Sequence, residues 1–258
     1  MDEARASHPG GDRASHPGGD RASHPGGDRP ALLQDLHWLG HDTFRIDRPA
    51  TIYIDPWRLP PGSPPADVIL VSHHHHDHCS PEDVESICRE ATIVVANATA
   101  AGKLRAPVRV LQPGKSITLR IPEGIALRTP EGVEAAGLTV EAVPAYNLDK
   151  KFHPRDEGHL GFILHLGGER LYFAGDTDLI PEMTGLVCDV ALLPVSGTYT
   201  MTAVEAARAA GVIRPRVAVP MHYGAGVAGT EEDAETFRRE CPVPVVTLKM
   251  EGLPPSGE

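Results

Sequence analysis

The feature that most constrains this chain is the HHHHDH run at residues 73 to 78. It directly follows DVILVS, a short apolar segment with the length and composition of a buried β-strand. It precedes Ser80-Pro81-Glu82-Asp83, in which an N-capping serine, a proline at the first helical position and acidic first-turn residues predict a helix start. Polyhistidine tags are placed at chain termini, whereas this run connects two elements that pack. We therefore interpret it as a loop that carries a functional site.

Short strands and helices continue on both sides of this run. A capping box at Thr202 and Glu205 predicts a second helix, which we expect Gly211 to end, and TEEDAETFRREC predicts a last helix. Gly167-Gly168 predicts a tight hairpin turn. The predicted strands include TFRI, TIYI, ATIVVAN, VRVL, SITLR, IALRT, LTVEAVPAYN, GFILHL, RLYFAGDT, CDVALLPVS, RVAVPMH and VPVVTLK. This order favours a layered α/β sandwich in one domain.

The N-terminal part of the chain is repetitive. Residues 6 to 29 are three copies of ASHPGGDR, a period too short and too rich in glycine and proline to bury a core. We predict a disordered tail at residues 1 to 29 and a folded domain at residues 30 to 258. The three histidines of the repeats are not assigned to the site.

Composition limits the compartment and the partners. No apolar stretch approaches the roughly 20 residues that span a bilayer, and the N-terminus lacks the pattern of a signal peptide, so we predict a cytoplasmic protein without a membrane span. The net charge of −11 argues against a broad surface for nucleic acid. No CxxC spacing occurs among Cys79, Cys88, Cys188 and Cys241, so we interpret the cysteines as reduced core thiols. Cys79, which directly follows the histidine run, is left as an exception.

Metal-ligand residues follow three predicted strands. His73 follows DVILVS, Asp176 follows RLYFAG, and His222 follows RVAVPM. Because the carboxyl ends of strands form the site in α/β proteins, we expect these residues to converge. Within the run, His73 and His75 alternate and could face one ion, which leaves Asp77 and His78 for a second.

At this point the residues resemble a known family. The pattern His73-x-His75-x-Asp77-His78 is similar to the HxHxDH signature of metallo-β-lactamase-fold hydrolases, and the resemblance extends over residues 33 to 250. It is similar to the branch that contains L-ascorbate-6-phosphate lactonase and N-acylphosphatidylethanolamine phospholipase D. The fold that the resemblance implies is a four-layer αββα sandwich. Further landmarks occur in the family's order: Gly40-His41, Asp55-Pro56, Gly175-Asp176-Thr177 and Pro220-Met221-His222-Tyr223.

The resemblance also implies a role for each ligand. His73 and His75 would bind the first metal ion, and Asp176 would bridge the two ions. A hydroxide held between the ions would be the nucleophile. The second ion would be bound by Asp77, His78 and His222, and Asp77 would also orient the hydroxide.

The sequence departs from the family at one ligand. The family usually provides another histidine at the end of the strand that finishes here as Asn147, and an amide oxygen is a poor zinc ligand. We favour His153, six residues later, as the substitute, with Asn147 contacting substrate or supporting a ligand. His159 is the less favoured substitute.

Other residues near these positions have open roles. His41 resembles a residue that hydrogen-bonds a ligand or substrate in this branch, but a structural turn histidine fits equally well. Asp55 is expected to accept an imidazole N–H and fix a ligand's tautomer. His74 and His76 should point away from the metals.

These observations predict a hydrolase for a small-molecule phosphoester, lactone or other ester. It would use two divalent metal ions, with zinc favoured and manganese or iron also compatible with the donors. The alternative is a non-catalytic metal-binding or regulatory protein on the same fold, which the missing strand-end histidine keeps open. An oxygen-reducing diiron protein would carry a carboxylate in place of His75, and the acidic net charge argues against RNA processing.

Overall fold

The computed structural model describes residues 29–120, 127–129, 132–134 and 137–252. The predicted disordered tail, with its three histidines, lies outside these ranges except for its last residue.

One sheet contains the strand that leads into the histidine run. Its strands follow chain order: β1 Leu36–Gly40, β2 Thr43–Ile46, β3 Ile52–Ile54, β4 Val68–Val71, β5 Ile93–Ala96 and β6 Val108–Val110. The first three strands pair antiparallel, and β3 to β6 are parallel. Strand β4 belongs to this parallel part of the sheet and ends just before the histidine run.

A second sheet of six strands provides the other predicted ligands. The bounds of its strands are β7 Ser116–Arg120, β10 Gly137–Pro144, β11 Leu160–Leu166, β12 Glu169–Phe173, β13 Val190–Pro194 and β14 Val217–Met221. Their spatial order is β14, β13, β12, β11, β10, β7, in which β12, β13 and β14 are parallel. Residues 127–129 and 132–134 form a separate two-stranded pair, β8 and β9.

The two faces of the first sheet pack against different layers. Ile54 and Leu70 belong to the large core shared with the second sheet. Their neighbours Tyr53 and Ile69 belong to a smaller core that includes Val84 of the first helix. This is the alternation expected of strands buried on both faces.

Within the described ranges, four α-helices form the outer layers: α1 Pro81–Ile87, α2 Ala98–Ala101, α3 Ala203–Ile213 and α4 Glu231–Glu240. The predicted caps are present, because Ser80 Oγ accepts a hydrogen bond from Asp83 N, and Thr202 and Glu205 form a capping box. Helices α3 and α4 contact each other and the second sheet. The αββα sandwich predicted from the sequence is therefore confirmed.

Two local predictions were wrong. Gly211 does not end α3, which continues to Ile213 and is capped by Arg214 in a left-handed conformation. A Cβ atom on Gly211 would lie 3.2 Å from Pro242 Cγ, so this glycine permits close packing inside the helix. The segment VPVVTLK makes only the isolated bridge of Val245 to Ala218. It contains Pro244, which has no N–H to donate to a sheet ladder.

No helix among the described residues is both long and apolar enough to cross a lipid bilayer. All four cysteines are free thiols. Burial raises the pKa of Cys79 to about 11, so this thiol is protonated at neutral pH.

Candidate metal centre

The carboxyl ends of strands from both sheets bring the predicted ligands together. His73 follows β4, Asp176 follows β12 and His222 directly follows β14. The other ligands come from the loop after β4 and from the loop after β10. All seven predicted metal ligands lie in one cluster: His73, His75, Asp77, His78, His153, Asp176 and His222.

Three imidazoles form the first group. His75 Nδ1 lies 3.0 Å from His73 Nε2 and 2.9 Å from His153 Nε2. Four tetrahedral donors at the usual Zn–N length are about 3.3 Å apart, which is close to these separations. The group therefore has the size of a site for one ion.

Hydrogen bonds on the far side of two rings determine which nitrogen faces this group. His73 Nδ1 lies 2.9 Å from Ser72 Oγ, and that hydroxyl contacts the Asp55 carboxylate. His153 Nδ1 lies 3.2 Å from the carbonyl oxygen of Tyr199, which accepts its N–H. Each contact leaves the Nε2 lone pair directed at the group, as a metal ligand requires.

Asn147 supports the loop that carries His153. Its Nδ2 donates to the carbonyl oxygens of Tyr199 at 2.7 Å and Phe152 at 2.9 Å, and its backbone N–H donates to the carbonyl of His153. The side chain is buried, and its Oδ1 has no hydrogen-bond partner among the described residues. Substrate binding by Asn147 stays a prediction.

The second group contains His78 and His222 together with carboxylates. Asp176 Oδ1 lies 3.5 Å from His78 Nε2 and 3.4 Å from His222 Nε2. Asp77 Oδ2 lies 3.8 Å from His78 Nε2. These residues are buried, with the imidazoles fully enclosed.

Asp176 lies between the two groups. While its Oδ1 faces the second group, its Oδ2 lies 3.2 Å from His153 Nε2 and 4.0 Å from His73 Nε2. One carboxylate thus directs a separate oxygen at each set of donors.

Asp55 orients the second group from behind. It accepts hydrogen bonds from the backbone N–H and hydroxyl of Ser72 and from His78 Nδ1, the last at 2.8 Å. This is the imidazole contact expected from the sequence. In the neutral tautomer this contact places the proton of His78 on Nδ1, so that Nε2, which is directed at Asp176, can bind a metal ion.

The histidines of open role take different positions. His41 is fully buried, and its Nε2 donates to Asp77 Oδ2 at 3.1 Å, so it faces a ligand rather than an open surface. Its contact with substrate remains a prediction. The His76 side chain is 80% exposed. His159 directs its Nε2 at Glu157, 2.9 Å away, and its ring stacks on that of His73 with the ring centroids 4.6 Å apart.

Asp42 belongs to the centre but was not among the predicted ligands. One of its oxygens lies within 4.8 Å of donor atoms of His78, Asp176 and His222. The residue is fully buried. No signal in the sequence indicated this role, because an aspartate that follows a turn is ordinarily exposed to solvent.

Burial and charge divide the centre into two electrostatic halves. Burial lowers the pKa of His75 to about 4 and also lowers the pKa of His73 and His153, so the first group is neutral at pH 7. In the second group burial is outweighed by neighbouring carboxylates, chiefly Asp176, which raise the pKa of His222 to about 9 and also raise that of His78.

The carboxylates respond in the opposite direction. Burial alone would raise the pKa of Asp176, but His78 and His222 hold it well below its usual value. The hydrogen bond from His41 similarly outweighs burial and lowers the pKa of Asp77. Both carboxylates are therefore ionised at neutral pH and available to a cation.

Several buried polar atoms fit bound cations. His78 Nε2, His222 Nε2, Asp176 Oδ1 and both oxygens of Asp42 have no hydrogen-bond partner among the described residues. Buried polar atoms are normally satisfied, and these point at one another across short distances. Imidazole nitrogens and carboxylate oxygens are ligands of zinc and other divalent transition metals, so the residues present fit such ions.

Comparisons with known proteins agree with this geometry. The model of the β-lactamase superfamily domain matches residues 35–222. A UPF0173 metal-dependent hydrolase of Caldivirga maquilingensis is 32% identical over 79% of this chain and 87% of its own length. A UPF0173 metal-dependent hydrolase of Anaeromyxobacter is 34% identical over 77% and 78%, respectively.

Solved structures show the same fold. The crystal structure of a metal-dependent hydrolase from Parabacteroides distasonis aligns with a TM-score of 0.67 and 30% identity over 83% of this chain and 93% of the other. The metallo hydrolase Igni18 of Ignicoccus hospitalis aligns with a TM-score of 0.64 and 24% identity over 83% and 94%, and supports the fold alone. The chain therefore belongs to the metallo-β-lactamase superfamily, within its family of metal-dependent hydrolases.

Proposed function

We propose that the chain hydrolyses a phosphoester, a lactone or another ester at a centre of two divalent metal ions. The observation that carries this proposal is the position of Asp176, whose two oxygens face different groups of donors. His73, His75 and His153 would hold the first ion. The second ion would be held by Asp77, His78 and His222, and Asp176 would be shared by the two ions.

Two cations in these positions would lower the pKa of a bound water and stabilise negative charge that develops on an attacked ester. The protein's part is orientation. Asp55 keeps the Nε2 of His78 directed at the centre, and the Tyr199 carbonyl does the same for His153. His41 donates to Asp77 Oδ2, which leaves Oδ1 of Asp77 to accept a proton or orient the nucleophile.

The residues beside the histidine loop support a substrate with both apolar and anionic parts. The ring of Phe152 lies 6.3 Å from that of His75, and the ring of Trp57 lies 6.1 Å from that of His76. Cations accompany both aromatics, with Arg58 over Trp57 and Lys151 over Phe152. Aromatic and cationic groups suit a phosphoester with an apolar substituent, which agrees with the branch that the sequence resembles.

The test is to measure metal content and ester hydrolysis in the purified protein. We expect two divalent ions per chain, with zinc favoured, and turnover within a panel of phosphodiesters and lactones. His75→Ala should lose one ion and most of the turnover. His76→Ala is the matched control from the same loop, since its side chain is largely exposed.

The outcomes separate the alternatives. Protein without bound Zn, Mn or Fe, together with unchanged turnover in His75→Ala, would refute the metal mechanism. Two bound ions with no turnover of any ester would instead support the non-catalytic metal-binding protein.

A further inference from the structure

Asp42 gives the second group a carboxylate that the predicted ligand set does not contain. It enters the centre from the turn between β1 and β2, immediately after His41. The charged and titratable groups that face it are His78, His222 and Asp176, and its Oδ2 lies 3.7 Å from His78 Nδ1. Neither of its oxygens accepts a hydrogen bond among the described residues.

A buried carboxylate beside a second buried carboxylate needs a compensating charge. Asp42 and Asp176 are both enclosed, and Asp176 already faces two imidazoles through the same oxygen. Uncompensated buried charge is strongly unfavourable, so the arrangement is stable only when a cation or a proton lies among these groups. A divalent cation at the second group would compensate the charge of Asp42, one oxygen of which lies within 4.8 Å of donor atoms of Asp176 and the two imidazoles.

The additional carboxylate makes the two groups chemically different. The first group offers three imidazole nitrogens and one oxygen of Asp176, a donor set typical of zinc. With Asp42 included, the second group offers two imidazoles and three carboxylates. Carboxylate donors suit manganese whereas imidazoles suit zinc, so an oxygen-rich set reduces the usual affinity advantage of zinc over manganese and ferrous ions.

We propose that Asp42 is a metal ligand of the second site and gives it a higher relative preference for Mn²⁺-type or Fe²⁺-type cations than the imidazole-rich first site. This inference rests on the proposed dinuclear function and assigns a metal class to each half of the centre. The first site then has the higher relative preference for zinc.

The experiment compares Asp42→Asn with the wild-type full-length chain. Metal-free protein receives one equivalent of Zn²⁺, and Mn²⁺ is then titrated while the electron paramagnetic resonance signal of free Mn²⁺ is recorded. A parallel titration with Zn²⁺ measures the affinity of the same site for zinc. We expect Asp42→Asn to weaken Mn²⁺ binding by at least about tenfold, and zinc binding by less. The control is Asp47→Asn, which removes the same charge from an exposed side chain.

A second measurement separates a ligand from a structural residue. Asparagine keeps the shape of Asp42 and removes a buried charge, so metal-free Asp42→Asn should melt at or above the wild-type temperature, while its stabilisation by Mn²⁺ should shrink. Unchanged Mn²⁺ affinity, or an equal loss for both metals, would overturn the inference. If the wild-type chain still binds two ions in that case, the proposed dinuclear function stands. If it binds fewer than two ions, both this inference and the proposed function are overturned.

Discussion

Replacing His153 by alanine tests whether this loop residue completes the first site. The structure gives the first ion three imidazole nitrogens, and His153 Nε2 also lies 3.2 Å from Asp176 Oδ2. Residues one step removed from a metal change its affinity by about 10- to 100-fold when replaced, so loss of a direct donor should cost at least about 100-fold. At about 1.4 kcal/mol per factor of ten, this corresponds to about 2.8 kcal/mol of binding free energy.

The assay is competition for Zn²⁺ against a chromophoric chelator, with the two binding steps resolved. His153→Ala should weaken the first step by this factor and leave the second within a few-fold, because the donors of the second ion are separate residues apart from Asp176. His159→Ala is the matched control, since that buried histidine lies in the same segment and stacks on His73 but directs its Nε2 at Glu157.

The melting temperature of each metal-free variant must also be compared, because His153 is almost fully buried. The reasoning is refuted if His153→Ala folds and keeps wild-type zinc affinity, or if His159→Ala loses the first ion instead. Loss of the first ion in Asn147→Ala alone would assign the ligand to Asn147.

Three further predictions follow from the same contacts. Asp176→Asn should reduce metal content by more than one ion per chain, as elemental analysis would show, and retention of both ions would contradict a bridging role. Asp55→Asn places an amide opposite the N–H of His78, so the affinity for the second ion should fall about 10- to 100-fold in a chelator titration, with the affinity for the first ion unchanged. Equal losses of affinity for the two ions would contradict the role of this contact. In metal-free protein the folded pKa of His222 is raised to about 9, so its stabilising contribution is complete below pH 6.5 and is lost as pH rises through 9. The melting temperature should fall over that interval, and a constant value would show that these charges do not contribute.

The parts of the centre that follow strand ends could be predicted from sequence. His73, Asp176 and His222 each follow an apolar run, and the ends of parallel strands lie at one edge of a sheet. The spacing within the histidine loop then separated the residues expected to face metal from the exposed His76. Apolar periodicity and strand order indicate where strands end and which residues face the centre, because both patterns depend on which residues are locally buried.

The parts that depend on loop direction could not be predicted. The sequence left His153, Asn147 and His159 open, because a loop of this length can return in several ways. The structure separates them through two carbonyl contacts of Asn147, which hold the loop with His153 facing His75. Asp42 was missed because no periodic pattern distinguishes one buried aspartate after a turn.

The backbone at these positions explains both the difficulty of prediction and the expected response to metal. Four residues of the centre have positive φ without being glycine: His41 at 52°, Asp55 at 46°, His153 at 59° and His222 at 61°. A residue held in such a sparsely populated region costs on the order of 1–3 kcal/mol, and the surrounding structure must compensate for it. Glycine would adopt these angles without that cost but would supply no donor atom, so the chain accepts strain at turns and loop positions where an imidazole or carboxylate must face the centre.

Bound ions stabilise only the strained, converged arrangement and not the unfolded chain. Metal binding should therefore raise the melting temperature, and chelation should lower it with first loss of order in the loop that carries His153. Hydrogen exchange that becomes faster elsewhere in the chain but not at residues 147 to 159 would contradict this account.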